Sequence, residues 1–111
     1  MQLVLPMRGE CFSALLAIAP EPSIPFVAAY AHSQNPSVCE EAMLALGESR
    51  KPAAFQILKR KWEGELSRPL KKTLLLAIAT LRLDTAIDFL LSLLDAENLE
   101  TASQIISALA I

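Results

Sequence analysis

With 111 residues, 53% of them apolar, and a net charge of −2, the chain has material for one domain with a moderate core. No apolar run approaches the roughly 18–20 residues of a membrane span; the run from Leu74 to Ala79 is bounded by Lys71, Lys72 and Arg82. Met1 to Met7 lacks the charged start and cleavage site of a secretory signal, and Cys11 and Cys39 are too few for a disulfide framework, so a reduced cytoplasmic setting is expected.

Ala, Leu and Ile recur at helical spacing along the whole chain, with breakers between the runs. The first helix is expected over about Met7–Ile18. Pro20, Glu21 and Pro22 are expected to end it, with Ser23 capping a second helix that holds Pro25 in its first turn and runs to about Ala31. His32 to Pro36 reads as a turn, Asn35 being the N-cap and Pro36 the first residue of a third helix to about Glu48, with Gly47 near its end. A fourth helix is expected over Pro52–Trp62, closed by Gly64. Ser67 opens a fifth with Pro69 just inside, over about Arg68–Leu81. Asp84 is expected to cap a sixth over Thr85–Leu94, and Asn98 a seventh that runs to Ile111. Nothing alternates at period two, so the fold class is all-α with about seven helices and no strand.

These helices repeat. Ala14-Leu15-Leu16, Ala45-Leu46-Gly47 and Ala77-Ile78-Ala79 lie 31 or 32 residues apart, and each leads without a gap to Val27, Leu58 or Leu90. A fourth copy begins at Ala108-Leu109-Ala110. Self-similarity at this period marks a stacked array of helix pairs. The repeats are expected over about 7–35, 36–66 and 67–97, with a partial one over 98–111. Alanine at the first motif position lets two helices approach closely, and the large aliphatic residue after it fills the groove between layers.

The string from Ala45 to Leu58, Ala-Leu-Gly-x-x-x-x-Pro-x-Ala-Phe-x-Ile-Leu, resembles the HEAT repeat, in particular the HEAT-like type of phycobilisome lyases. That family closes its first helix with a small–large–Gly step, turns at Asp-Pro and continues into a small–aliphatic–x–aliphatic–aliphatic second helix. Pro52 matches the turn proline. Ser23-Ile24-Pro25-Phe26-Val27, Ala54-Phe55-Gln56-Ile57-Leu58 and Ala86-Ile87-Asp88-Phe89-Leu90 match the second helix. Gly47 is Leu16 and Ala79 in the other copies, and the turn Asp is replaced by Pro20, Lys51 and Leu83. The resemblance covers about Met7 to Ile111. It implies an alpha–alpha superhelix, a solenoid of stacked antiparallel helix pairs, as a single domain over 1–111. The last repeat has no polar capping helix. The expectation is therefore a segment of a longer array, or self-association through open solenoid ends.

No residue pattern announces catalysis, a cofactor or a metal. His32 stands alone in a turn. Cys11 and Cys39 have no CxxC spacing and suit buried packing. Glu40 and Glu41 are adjacent on a helix and so do not face each other. Gly9, Gly47 and Gly64 are scattered and form no phosphate loop.

Charge, by contrast, is strongly segregated. Residues 50–72 hold eight basic groups, namely Arg50, Lys51, Lys59, Arg60, Lys61, Arg68, Lys71 and Lys72, against Glu63 and Glu65. Residues 1–49 and 73–111 each hold one basic group against five acidic ones. Lys59, Arg60 and Lys61 suit the C-terminal end of a helix dipole, whereas Lys71 and Lys72 open a helix against it. In HEAT-type stacks the second helices line the concave surface, which would carry Gln56, Lys59, Arg60, Glu63, Asp88 and Ser92, with Tyr30 and Ala28 extending it. The expected function is a non-catalytic scaffold or adaptor that binds a protein partner there, an acidic segment being the natural match to the Lys59–Lys61 cluster. The resemblance also implies an alternative, a component of a bilin-lyase-like chromophore-attachment system. A third reading, a nucleic-acid-backbone binder through the 50–72 cluster, is opposed by the overall acidity and by Trp62 being the single stacking residue nearby.

Overall fold

The computed structural model describes residues 5–64, 66–96 and 99–110, and among them finds seven α-helices and no strand. The helices are α1 (Leu5–Ile18), α2 (Pro20–Ala31), α3 (Pro36–Ser49), α4 (Pro52–Trp62), α5 (Arg68–Thr80), α6 (Asp84–Ala96) and α7 (Leu99–Leu109). None of them is long and apolar enough to cross a membrane. The predicted cap Asn98 and the chain's last residue, Ile111, lie outside the described residues.

Local sequence explains most boundaries. Asn35 accepts hydrogen bonds at Oδ1 from the Ser37 and Val38 amides, at 3.0 and 3.4 Å, and Pro36 follows in the first helical position, where no amide donor is needed. Ser67 occupies the N-cap of α5 in extended backbone, but its hydroxyl makes no capping bond. Two arginines at the same repeat position stop the first helices of their pairs. Arg50 (φ 56°), the C-cap of α3, and Arg82 (φ 55°), just past α5, are left-handed, and they are the two non-glycine residues with positive φ among those described.

Two expectations need correction. Pro20, Glu21 and Pro22 do not end α1; they begin α2. Prolines are accepted in a helix's first turn because those amides have no partner anyway, so the break narrows to Ala19 alone. Ser23 is consequently not a cap. Its amide donates to the Ala19 carbonyl at 3.1 Å, and its buried hydroxyl donates to the Leu15 carbonyl at 3.1 Å, tying α2 to the end of α1. Pro25 lies inside α2, so the exposed Glu21 carbonyl lacks its helical donor. Second, Asp84 is the first residue of α6 rather than its cap: the Leu83 carbonyl accepts the Ile87 amide at 3.0 Å, leaving Asp84 to act on the helix dipole. Gly47, near the end of α3 as expected, is buried. A methyl group at Gly47 would run into the Ala77 carbonyl and stand 3.0 Å from the Ala77 Cα, so glycine permits the closest approach of α3 to α5.

The first helices pack in chain order, α1 on α3, α3 on α5 and α5 on α7. Each of α2, α4 and α6 packs against the helix before it and the helix after it. The molecule is elongated, 46 × 26 × 23 Å. One continuous core runs through it, with Phe12, Val27, Met43, Leu46, Leu58 and Leu74 buried in the earlier part and Leu75, Ile78, Leu90 and Ile105 in the later. Burying side chains of this size contributes about 1.5–3 kcal/mol each, which carries the apolar stretch from Leu74 to Ile78 of α5 into the centre of the stack.

Candidate functional site

Gln56, Lys59, Arg60 and Glu63 follow the i, i+3, i+4, i+7 spacing of one helix face. Gln56, Lys59 and Arg60 of α4 and its C-cap residue Glu63 line a single shallow depression of about 240 Å³. The opposite face of α4 carries Ala54, Phe55 and Leu58, all buried, which fixes the rotation of the helix and turns the ridge outward. Phe55 meets Phe89 of α6 edge to face, ring centres 5.9 Å apart, and the Lys59 ammonium stands 5.6 Å above the Phe89 ring. Lys59 is thereby half-buried and oriented, while Arg60 is exposed beside it.

The remaining predicted positions separate from this group. Lys61, five residues past Gln56, turns to the other side of α4. It is half-buried near Cys39 of α3, where its charge pulls the thiol pKa down against the stronger upward push of burial; Glu40 adds to that push. Asp88 and Ser92 are exposed on α6, outside the depression, and Ser92 Oγ donates to the Phe89 carbonyl at 2.6 Å. The Tyr30 ring meets that of Phe12 at a tilt, centres 5.1 Å apart, and that of Phe26 edge to face, at 5.3 Å; Ala28 is half-buried.

The basic residues of 50–72 therefore spread over several surfaces. Arg50 and Lys51 sit at the α3–α4 turn, Lys59 and Arg60 on the ridge, and Lys61 against α3. The unfavourable dipole position of Lys71 has a local cause: its ammonium lies 5.4 Å above the Trp62 ring. Lys72 joins Glu40, Pro69, Thr73, Leu76 and Gln104 in a groove of about 370 Å³ where α3, α5 and α7 meet. That groove was not foreseen from sequence, although Glu40 and Lys72 stand 32 residues apart at the same repeat position, a signal that superposing the repeats would have raised.

His32 is exposed at the end of α2, its amide donating to the Ala29 and Tyr30 carbonyls. Cys39 is buried and donates to the Ala31 carbonyl at 3.1 Å, whereas Cys11 is half-buried. Glu40 faces the groove, but its neighbour Glu41 has one carboxylate oxygen, Oε2, shielded from solvent and without a hydrogen-bond partner among the described residues. Among the described residues no three His, Cys, Asp or Glu side chains are placed to hold a metal ion. No family model matches the chain, and no curated protein or solved structure is significantly similar to it.

Proposed function

We propose that the chain is a solenoid of HEAT-like helix pairs acting as a non-catalytic scaffold, and that its α4 ridge binds an acidic, extended segment of a partner protein. The successive packing of α1, α3, α5 and α7, at intervals that follow the sequence repeat, supports the solenoid reading. The single observation that carries the binding reading is the convergence of Gln56, Lys59, Arg60 and Glu63 on one depression, with Lys59 held over an aromatic ring rather than free in solvent. In this arrangement Lys59 and Arg60 pair with carboxylates of the segment. Gln56 has both a donor and an acceptor for its backbone, and Glu63 at the rim rejects a register that would bring a further acidic group there. Dispersal of the other cations over separate surfaces weighs against a phosphate-backbone track, which needs a continuous one.

The test is fluorescence anisotropy with a short labelled Asp/Glu-rich peptide at low salt. Reversal of both ridge cations (Lys59→Glu with Arg60→Glu) is expected to weaken binding at least about tenfold, roughly 1.4 kcal/mol. The Lys61→Glu variant, altered on the other side of α4, is expected to bind within about twofold of the original protein. Equal losses in both, or none in either, would remove the ridge from consideration.

A further inference from the structure

The four first helices meet in one recurring register. Leu16 and Ala45 line the same cavity between α1 and α3, Gly47 lies against the Ala77 backbone between α3 and α5, and Ala79 and Ala108 line the same cavity where α5 meets α7. Leu16, Gly47 and Ala79 occupy one repeat position, facing the following helix. Ala45, Ala77 and Ala108 occupy another, facing the preceding one. Ala110 is the next member of the first series and Ala14 the first member of the second, and both are exposed.

The large side chains around them show the same contrast. Met43 and Leu75 are fully buried, but Ile106, at their position in α7, is 59% exposed. Leu46 and Ile78 are fully buried, but their counterpart Leu15 in α1 is 40% exposed. Ile18 is 83% exposed where its counterpart Leu81 is 1%. Among the described residues, α1 and α7 thus each present one unpaired half of the interface that is built three times between them.

We propose that the two halves pair with each other between copies, α7 of one chain packing on α1 of the next in a head-to-tail contact that places Ala110 against Ala14. The occupant is a second copy because this chain carries both halves, matched in position and in size, with Ile106 standing where Met43 and Leu75 stand. Such a contact is heterologous, so it links copies head to tail and is not completed by a two-fold dimer. It rests on the stacked-repeat reading above, but not on the Lys59–Arg60 ridge. Residues 1–49 and 73–111 each have acidic groups in excess, so salt strengthens this association by screening their repulsion, whereas salt weakens a basic ridge's hold on an acidic segment.

The experiment is sedimentation velocity on the full chain, from micromolar to submillimolar concentration, at low and high salt. The sedimentation coefficient is expected to climb with concentration, more steeply at high salt, without levelling at a dimer. Ile18→Glu blocks one half of the contact and Ile106→Glu the other, so each variant alone is expected to stay monomeric, while their mixture forms a heterodimer that grows no further. Ile18→Arg is a second head variant should Ile18→Glu lose its helical circular dichroism. The double reversal Lys59→Glu with Arg60→Glu is expected to leave the association unchanged, which separates failure of the ridge from failure of this contact. A chain that remains monomeric at every concentration overturns the proposal, as does a single variant that still dimerises or a mixture that does not.

Discussion

Replacing Gly47 with alanine sets two effects of known size against each other. In an exposed helix interior the change would stabilise by about 1 kcal/mol, because alanine is the better helix former. Here the added methyl group meets the carbonyl, carbonyl carbon and Cα of Ala77, all backbone atoms of a helix packed on both sides. No rotamer change relieves such a contact, so the helices must move apart and disturb Leu46, Leu74 and Ile78 around them. Overpacking of this kind costs up to about 3 kcal/mol. The expected net loss is therefore about 2 kcal/mol, or about 8 °C in Tm for a domain of this size. Thermal and urea unfolding followed by circular dichroism measure it. Two controls sharpen the argument. Ala77→Gly should not rescue Gly47→Ala, because the obstruction is backbone. Gly64→Ala should be neutral or slightly stabilising, since its methyl group would meet only the Lys61 carbonyl at 3.5 Å and its φ is not positive. A Gly47→Ala protein as stable as the original, or more so, would refute the close approach of α3 and α5.

Other expectations follow from local geometry. Asn35→Ala removes the acceptor of two amide hydrogen bonds at the start of α3 and should cost about 1 kcal/mol in urea unfolding. Arg50→Gly relieves a left-handed residue at the end of α3 and should stabilise by about 0.5–1 kcal/mol, read as a rise in Tm. Leu58→Ala empties a fully buried site on α4 and should cost about 2–5 kcal/mol. Burial raises the Cys39 thiol pKa above that of the unfolded chain, so its contribution is complete below the ordinary thiol pKa of about 8.5 and is lost as the pH rises through the folded value. Stability should therefore fall on the alkaline side, and Cys39→Ala should flatten that part of the profile measured by unfolding at successive pH values.

The helices were legible where a residue has one reading. Asn35-Pro36 can only open a helix in that order, and α3 begins where it says. Lys51-Pro52 places α4 in the same way. Pro20-Glu21-Pro22 was misread because proline both stops one helix and suits the first turn of the next, and only the tie from Ser23 to Leu15 decides between them. Gly47 lies near the end of α3 as the sequence indicates, but the close approach it permits was not legible there, because it is set by Ala77, thirty residues away. On the ridge, helical spacing alone brought Gln56, Lys59, Arg60 and Glu63 together. The same spacing excludes Lys61, which sequence adjacency had drawn into the cluster. The rings beneath Lys59 and Lys71 were beyond periodicity, since Phe89 is contributed by another helix and Trp62 by the preceding one.

Those rings bear on what the ridge can do. Phe55 on Phe89, and Lys59 above Phe89, join α4 to α6 across a repeat boundary. Lys59 thus enters any complex with part of its rotamer freedom already surrendered, and ordering a long side chain otherwise costs about 0.5–1.5 kcal/mol on binding. Arg60, exposed on the same face, has no aromatic ring beneath it among the described residues and must meet that cost in full. The two cations should then differ: Lys59 sets where an acidic group docks, and Arg60 adds attraction that salt readily screens. Phe89→Leu keeps an apolar side chain beside Phe55 but removes the ring face, so it should weaken peptide binding through Lys59 while leaving the contribution of Arg60 intact. An affinity unchanged by Phe89→Leu, in a protein that still loses binding on Lys59→Glu, would mean that the ring orients nothing and that the ridge acts by charge alone.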